Sequence, residues 1–258
     1  SPSFKNIGRR WVLPYPAAMG RLRQVPLDEV NDPRVAATYR YIFGDKDPVA
    51  EPGTATGSPG DWWTTFAASP DVFAHNLAGF ALYRDPERKL DPILRELGQT
   101  RAGWLRASNF VYSQHRKSCR GLGMTEAKID AICAWELSDE FSPTERAVLA
   151  YTDGLVGDHG RVPDAVFTEL QRHLNDEEIV EFTYITAWYA MHADISKALR
   201  LEWDDVADPV AEMDGGDGAV DVIEPGFGGG RFRRHGPTLG TPAPQTEADA
   251  SASETPGS

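Results

Sequence analysis

PILRELGQTRAGWLRASNFVYSQHRKSCRGLGM, residues 92–124, decides how the rest of the chain is read. Placed on a helix, Leu90, Ile93, Leu94, Leu97, Trp104 and Leu105 recur at spacings that make one apolar stripe, with Glu96 on its shoulder. Ser108 and Asn109 interrupt the stripe with residue types that open helices, because their side-chain oxygens accept from first-turn amides. A second stripe then runs through Val111, His115, Ser118, Cys119 and Leu122, with Ser113, Arg116, Lys117 and Arg120 directed away from it. The spacing predicts two successive helices, with His115 inside a buried face and not on its rim. Gly121 and Gly123 supply the turn conformations that end the second helix.

Working outward, further helix starts follow the same logic. Pro33 opens a short pattern ending before Gly44, Asp61 reads as an N-cap for Trp62, Trp63 and Phe66, and Ser69-Pro70 as a cap with proline in the first turn. His75 is offset from the apolar positions of that helix and reads as a surface or boundary residue. Thr125 begins a helix holding Ile129 and Ile132. Ser142-Pro143-Thr144-Glu145 is a capping box, in which the Ser and Glu side chains each satisfy an amide that the first turn leaves unpaired. Pro163 restarts a helix, and Asn175 followed by three acids opens a last long one whose buried positions include Phe182, Ile185, Tyr189 and Ala193. No stretch alternates apolar and polar residues between turn signals, so the fold class is all-α. The expected organisation is an N-terminal arm, short helix and exposed loop over 1–60, a helical domain over 61–203, and a Gly/Pro-rich acidic tail over 204–258 that is expected to be disordered. Within the tail, Val220 to Phe232 near Arg231–Arg234 offers a short docking motif.

The formal net charge is −13, and residues 204–258 hold eleven acids against three Arg, so −8 of it lies in the tail. A helical body this mildly acidic is not expected to bind nucleic acid, which needs a concentrated basic face to displace counterions. No run of eighteen apolar residues is present, so no membrane association is expected, and with no apolar signal core the expected compartment is the cytoplasm. The only two cysteines, Cys119 and Cys133, lack metal-ligand spacing and form no CxxC, which indicates neither a disulfide framework nor a metal site. Lys5, Arg9, Arg10, Arg21 and Arg23, set among aromatic residues and prolines, read as an arm laid over the body or as a basic clamp for an anion.

Two groups in the central stretch carry chemistry. Glu96 and His115 can form an acid–base pair, tuned by burial and by each other. Cys119 lies one turn after His115, where an imidazolium could favour a thiolate, or it is a small buried hydrophobe.

The order REL, SNFVYSQH, a G-L-G-M turn, TEAKIDAI and then WELS with FSPTERAVLAY resembles the carboxymuconolactone decarboxylase and AhpD-like alkylhydroperoxidase superfamily, over roughly residues 62–201. In AhpD-like peroxidases a glutamate precedes a CxxC, with a histidine four residues past its second cysteine. Here Glu96 and His115 match, and Ser108 and Val111 stand at the cysteine positions, so the dithiol route to peroxide reduction is absent. The decarboxylase-like branch is the better match. It implies a helical subunit assembled into trimers or hexamers, no cofactor, and acid–base handling of a small organic acid or lactone. By that resemblance His115 is the general acid or base and Glu96 its orienting partner. Tyr112, Gln114 or Ser113 are pocket candidates, although side-chain direction counts against Ser113, and Arg101 is a candidate cation for a carboxylate. The alternatives are a redox protein using Cys119 and a non-catalytic oligomeric scaffold.

Overall fold

Asp91 accepts the Ile93 amide and Pro92 fills the first turn, and from that cap the central helix starts. The computed structural model describes residues 20–204 and 210–213. Among them the regular elements are helical: α1 (Pro33–Phe43), α2 (Asp61–Phe66), α3 (Pro70–Arg84), α4 (Pro92–Leu105), α5 (Asn109–Gly121), α6 (Glu126–Ala131), α7 (Pro143–Thr152), α8 (Asp164–Gln171) and α9 (Asp176–Leu199), with short 3-10 and π turns between some of them. None of the described helices is long and apolar enough to cross a membrane.

Helix α4 is the hub, lying against α5, α7 and α9. Its glycines permit that closeness. A Cβ on Gly98 would stand 2.6 Å from Thr186 Oγ1 and 2.7 Å from Phe182 Cζ on α9, and one on Gly103 would stand 2.7 Å from the Tyr112 amide nitrogen of α5. Side chains pack on both sides of the hub. Leu97, Cys119, Ile129, Ile132 and Leu149 form one core cluster, and Val148, Leu170, Phe182, Ile185 and Ala193 belong to another. Burying a side chain of this kind stabilises the fold by about 1.5–3 kcal/mol.

The cap signals at Ser108, Thr125 and Ser142 sit where the sequence places them, and Asn175 proves to be a full capping box with Glu178. Two signals act differently. Gly60, with φ +86°, is the N-cap of α2, and the Asp61 carboxylate instead accepts the Glu202 amide at 2.8 Å. Ser69 precedes α3 without a side-chain cap bond.

Two segments expected to be exposed are packed. Part of the loop over 44–60 folds back on the domain, with Ser58 buried. The expected tail boundary at 204 is too early. Asp204 accepts from the Ser108 hydroxyl and, at 2.9 Å, from the Phe110 amide. The Ala211 amide donates to Asn109 Oδ1 at 2.6 Å, the Met213 amide to Ser113 Oγ at 2.6 Å, and Glu212 pairs with Arg116 and Arg120. Residues 210–213 therefore form a strap along α5. The docking motif around Val220–Phe232 and the basic residues Lys5, Arg9 and Arg10 lie outside the described residues. Arg21 bonds the Ala198 carbonyl at 3.1 Å and Arg23 pairs with Glu29.

Candidate active site

Helices α4 and α5 bring Glu96 and His115 together, although nineteen residues separate them in sequence. Glu96 Oε2 lies 2.7 Å from His115 Nδ1, and both side chains are almost completely buried. The other carboxylate oxygen accepts from Arg95 Nη2 at 2.9 Å and Nε at 3.1 Å. The Gln99 amide lies 3.0 and 3.2 Å from the two Glu96 oxygens, an approach that makes hydrogen bonds with its nitrogen turned toward them. Burial pushes the Glu96 carboxyl up, but the interactions with His115 and Arg95 outweigh it and hold the group below its ordinary range. An ionised Glu96 accepting from Nδ1–H fixes the ring orientation and leaves Nε2 to act on whatever reaches it.

What His115 faces is a cavity of about 120 Å³, open on one side. Its walls are aromatic. The His115 ring meets Tyr189 edge-on at 4.2 Å; Tyr189 stacks with His192 at 5.5 Å, and His192 with Trp62 at 5.3 Å. Phe80 and Tyr83 from α3 add to this wall. Thr54, Thr56 and Ser58 of the folded-back loop line the polar side, where Lys117 Nζ donates to the Thr56 carbonyl at 2.8 Å. Burial, aided by His115, pushes His192 down to about 3, so it is a neutral imidazole at physiological pH.

The sequence candidates separate clearly. His115 and Gln114 line the cavity, and Glu96 supports His115 from behind. Tyr112 is buried elsewhere, its hydroxyl accepting from Arg116 at 3.2 Å. Ser113 is occupied by the strap. Arg101 lies off the cavity lining, clamped by Asp153 at 2.6 and 3.1 Å and by the carbonyls of Ile132 and Cys133. The cations on the cavity lining are Arg84 and Lys117. Cys119 is fully buried in the core with its sulfur 3.4 Å from Thr100 Oγ1, and burial pushes its thiol up to about 12. A thiol raised this far carries little thiolate at physiological pH, which counts against a redox role of Cys119. Among the described residues, no group of three or more His, Cys, Asp or Glu is placed to hold a metal ion.

Sequence reasoning missed Lys117, which it directed away from the buried stripe, and His192, which it passed over. His192 falls three residues after Tyr189, on the same buried face of α9, and that spacing was the available signal. Nothing local in the sequence announces that the 54–58 loop folds over Lys117.

Residues 70–154 match the carboxymuconolactone decarboxylase family. The uncharacterized protein YdfG of Bacillus subtilis (strain 168) is 29% identical over 92 residues; the match covers 35% of this chain and 63% of YdfG, so the chain spans less than two thirds of that relative's length. A variant of the debrominase Bmp8 in complex with 2,3,4-tribromopyrrole aligns with a TM-score of 0.55 at 17% identity, over 73% of this chain and 95% of Bmp8. An uncharacterized peroxidase-related protein from Silicibacter sp. TM1040 gives a TM-score of 0.55 at 14% identity, over 71% of this chain and 94% of its own. At these identities the two solved structures establish a common fold and nothing finer.

Proposed function

We infer that this chain, which matches the carboxymuconolactone decarboxylase family over residues 70–154, is an acid–base enzyme acting on a small organic acid or lactone. The observation that carries the reading is the Glu96–His115 pair, joined at 2.7 Å and presenting its imidazole to an aromatic-walled cavity. Decarboxylation of such a substrate breaks the bond from carbon to carboxylate and leaves the electron pair on an adjacent carbonyl as an enolate. His115, protonated and held by the Glu96 carboxylate, gives its Nε2 proton to the carbon, and solvent restores it. Arg84 and Lys117 supply positive charge on the cavity lining where a substrate carboxylate would enter.

The test is consumption of a panel of carboxylated lactones and small cyclic keto acids, followed by proton NMR. Wild-type protein is expected to consume at least one member about 10²–10⁴ times faster than His115→Ala, the usual range for removing a general acid or base. Equal rates in the two proteins, or a panel left intact by both, would sink the reading.

A further inference from the structure

The stretch 53–59 closes on itself. The Gly53 amide donates to the Pro59 carbonyl at 2.8 Å, the Thr54 amide to the Ser58 carbonyl at 2.8 Å, and the Gly57 amide to the Thr54 carbonyl at 3.0 Å. Within that ring of backbone bonds, Thr54 Oγ1 lies 3.1 Å from Thr56 Oγ1 and 3.0 Å from Ser58 Oγ. A loop that satisfies its own polar groups can shift without breaking them, so it moves as one piece. It is also thin. Gly53 and Ala55 are exposed, whereas Thr54, Thr56 and Ser58 line the cavity that His115 faces. One layer of chain therefore separates that cavity from solvent on this side. The cavity has a mouth, yet the His115 side chain is only 6% exposed, so a molecule reaches the ring only when a wall gives way.

The loop is held unequally at its base and its tip. At the base the fully buried Glu202 carboxyl accepts the Gly60 and Trp62 amides, at 3.1 Å each. At the tip Lys117 Nζ donates to the Thr56 carbonyl at 2.8 Å, in a part-buried setting. A buried two-point anchor outlasts a part-buried contact to one carbonyl, so opening begins at the tip. Gly53 and Gly60 flank the loop at φ +131° and +86°, where a residue without a Cβ absorbs rotation at low cost.

We propose that residues 53–59 are a flap over the cavity, hinged beside Glu202 and latched by Lys117, and that its opening admits molecules to His115. The flap governs access alone, so it and the proton chemistry of the cavity can fail separately.

Acylation of imidazoles by diethyl pyrocarbonate in the full chain, followed by mass spectrometry of the histidine-containing peptides, measures that access. His115 and His192 share the cavity, and exposed His159 is the internal standard. His192 is neutral at physiological pH, so its rate reports access without interference from its own titration. Lys117→Met is expected to speed modification of both cavity histidines about tenfold, the scale of one hydrogen bond from a charged donor, and to leave His159 within about twofold. Equal rates in the two proteins would overturn the proposal. Should Lys117→Met fail to fold, wild-type protein in urea decides. A flap exposes little surface on opening, so below the unfolding transition the cavity histidines should react at rates that change by less than about twofold with urea. Rates that climb with urea as steeply as global unfolding, or no reaction before unfolding, would place access in the unfolded chain and overturn the flap. Neither readout uses turnover. A substrate panel left intact would therefore discard the acid–base reading and keep the flap.

Discussion

At Glu96 two opposing effects meet in one side chain. Burial alone would neutralise the carboxyl, yet His115 and Arg95 keep it ionised. A group held below its unfolded value contributes stability above that value, 4.5 for this carboxyl, and loses it as pH falls further. Glu96→Gln should therefore flatten the acid limb of the stability profile below about pH 4.5 in thermal unfolding scans, while also lowering turnover, because the imidazolium loses its counter-charge. Cys119 gives a second test at this scale. Of the two cysteines, only half-buried Cys133 should react with a thiol reagent in the native protein, and Cys119 only after unfolding. The pairing of Glu96 with His115 was legible because His115 sits on the buried stripe of its helix and Glu96 on the shoulder of the preceding one. The fate of Arg101 was not: its partner Asp153 lies in the turn after α7, and helical periodicity says nothing about which distant turn packs on a given guanidinium.

Helix α5 marks the limit of such reading at the scale of elements. Its stripe is where the spacing places it, but the faces carrying Ser113, Arg116 and Lys117 are buried too. The 54–58 loop covers one and the strap of residues 210–213 the other. The 54–58 loop is Thr-, Gly- and Ser-rich, a composition that marks irregular backbone without saying where it docks, and Val210–Met213 carries no docking signal of its own. Just after α9, Glu202 and Asp204 are buried carboxyls, one accepting from the Gly60 and Trp62 amides and the other from Ser108 and the Phe110 amide. Burial, reinforced by Asp61, raises Glu202 to about 8, and burial raises Asp204 to about 6. Groups raised in the folded state contribute most below their unfolded values, 4.5 and 3.8, and that contribution is lost as pH rises through about 6 and then about 8. The melting temperature should accordingly fall between pH 5 and pH 8.5, and Glu202→Gln should flatten the upper part of that fall. The Arg101 clamp is the other test of an element. Arg101→Lys keeps the charge but loses the two-pronged contact to Asp153, and urea unfolding should register a loss of about 2–4 kcal/mol.

For the whole molecule, the helical class and most helix starts were open to reading because caps and 3.6-residue periodicity are local properties. The cavity was not, because its lining comes from α2, α3, α5, α9 and a loop that only the assembled fold brings together. The outer face of α9 leaves Val180, Tyr184 and Met191 exposed, at spacings of four and seven. The proposed function rests on one pair of side chains passing a proton to carbon inside the aromatic hollow. Deuterium incorporation tests that directly: cyclic keto acids and lactones incubated in D₂O should exchange at the carbon beside the carbonyl with wild-type protein, and not with His115→Ala. Exchange at the same rate in both proteins, or in neither, would contradict it.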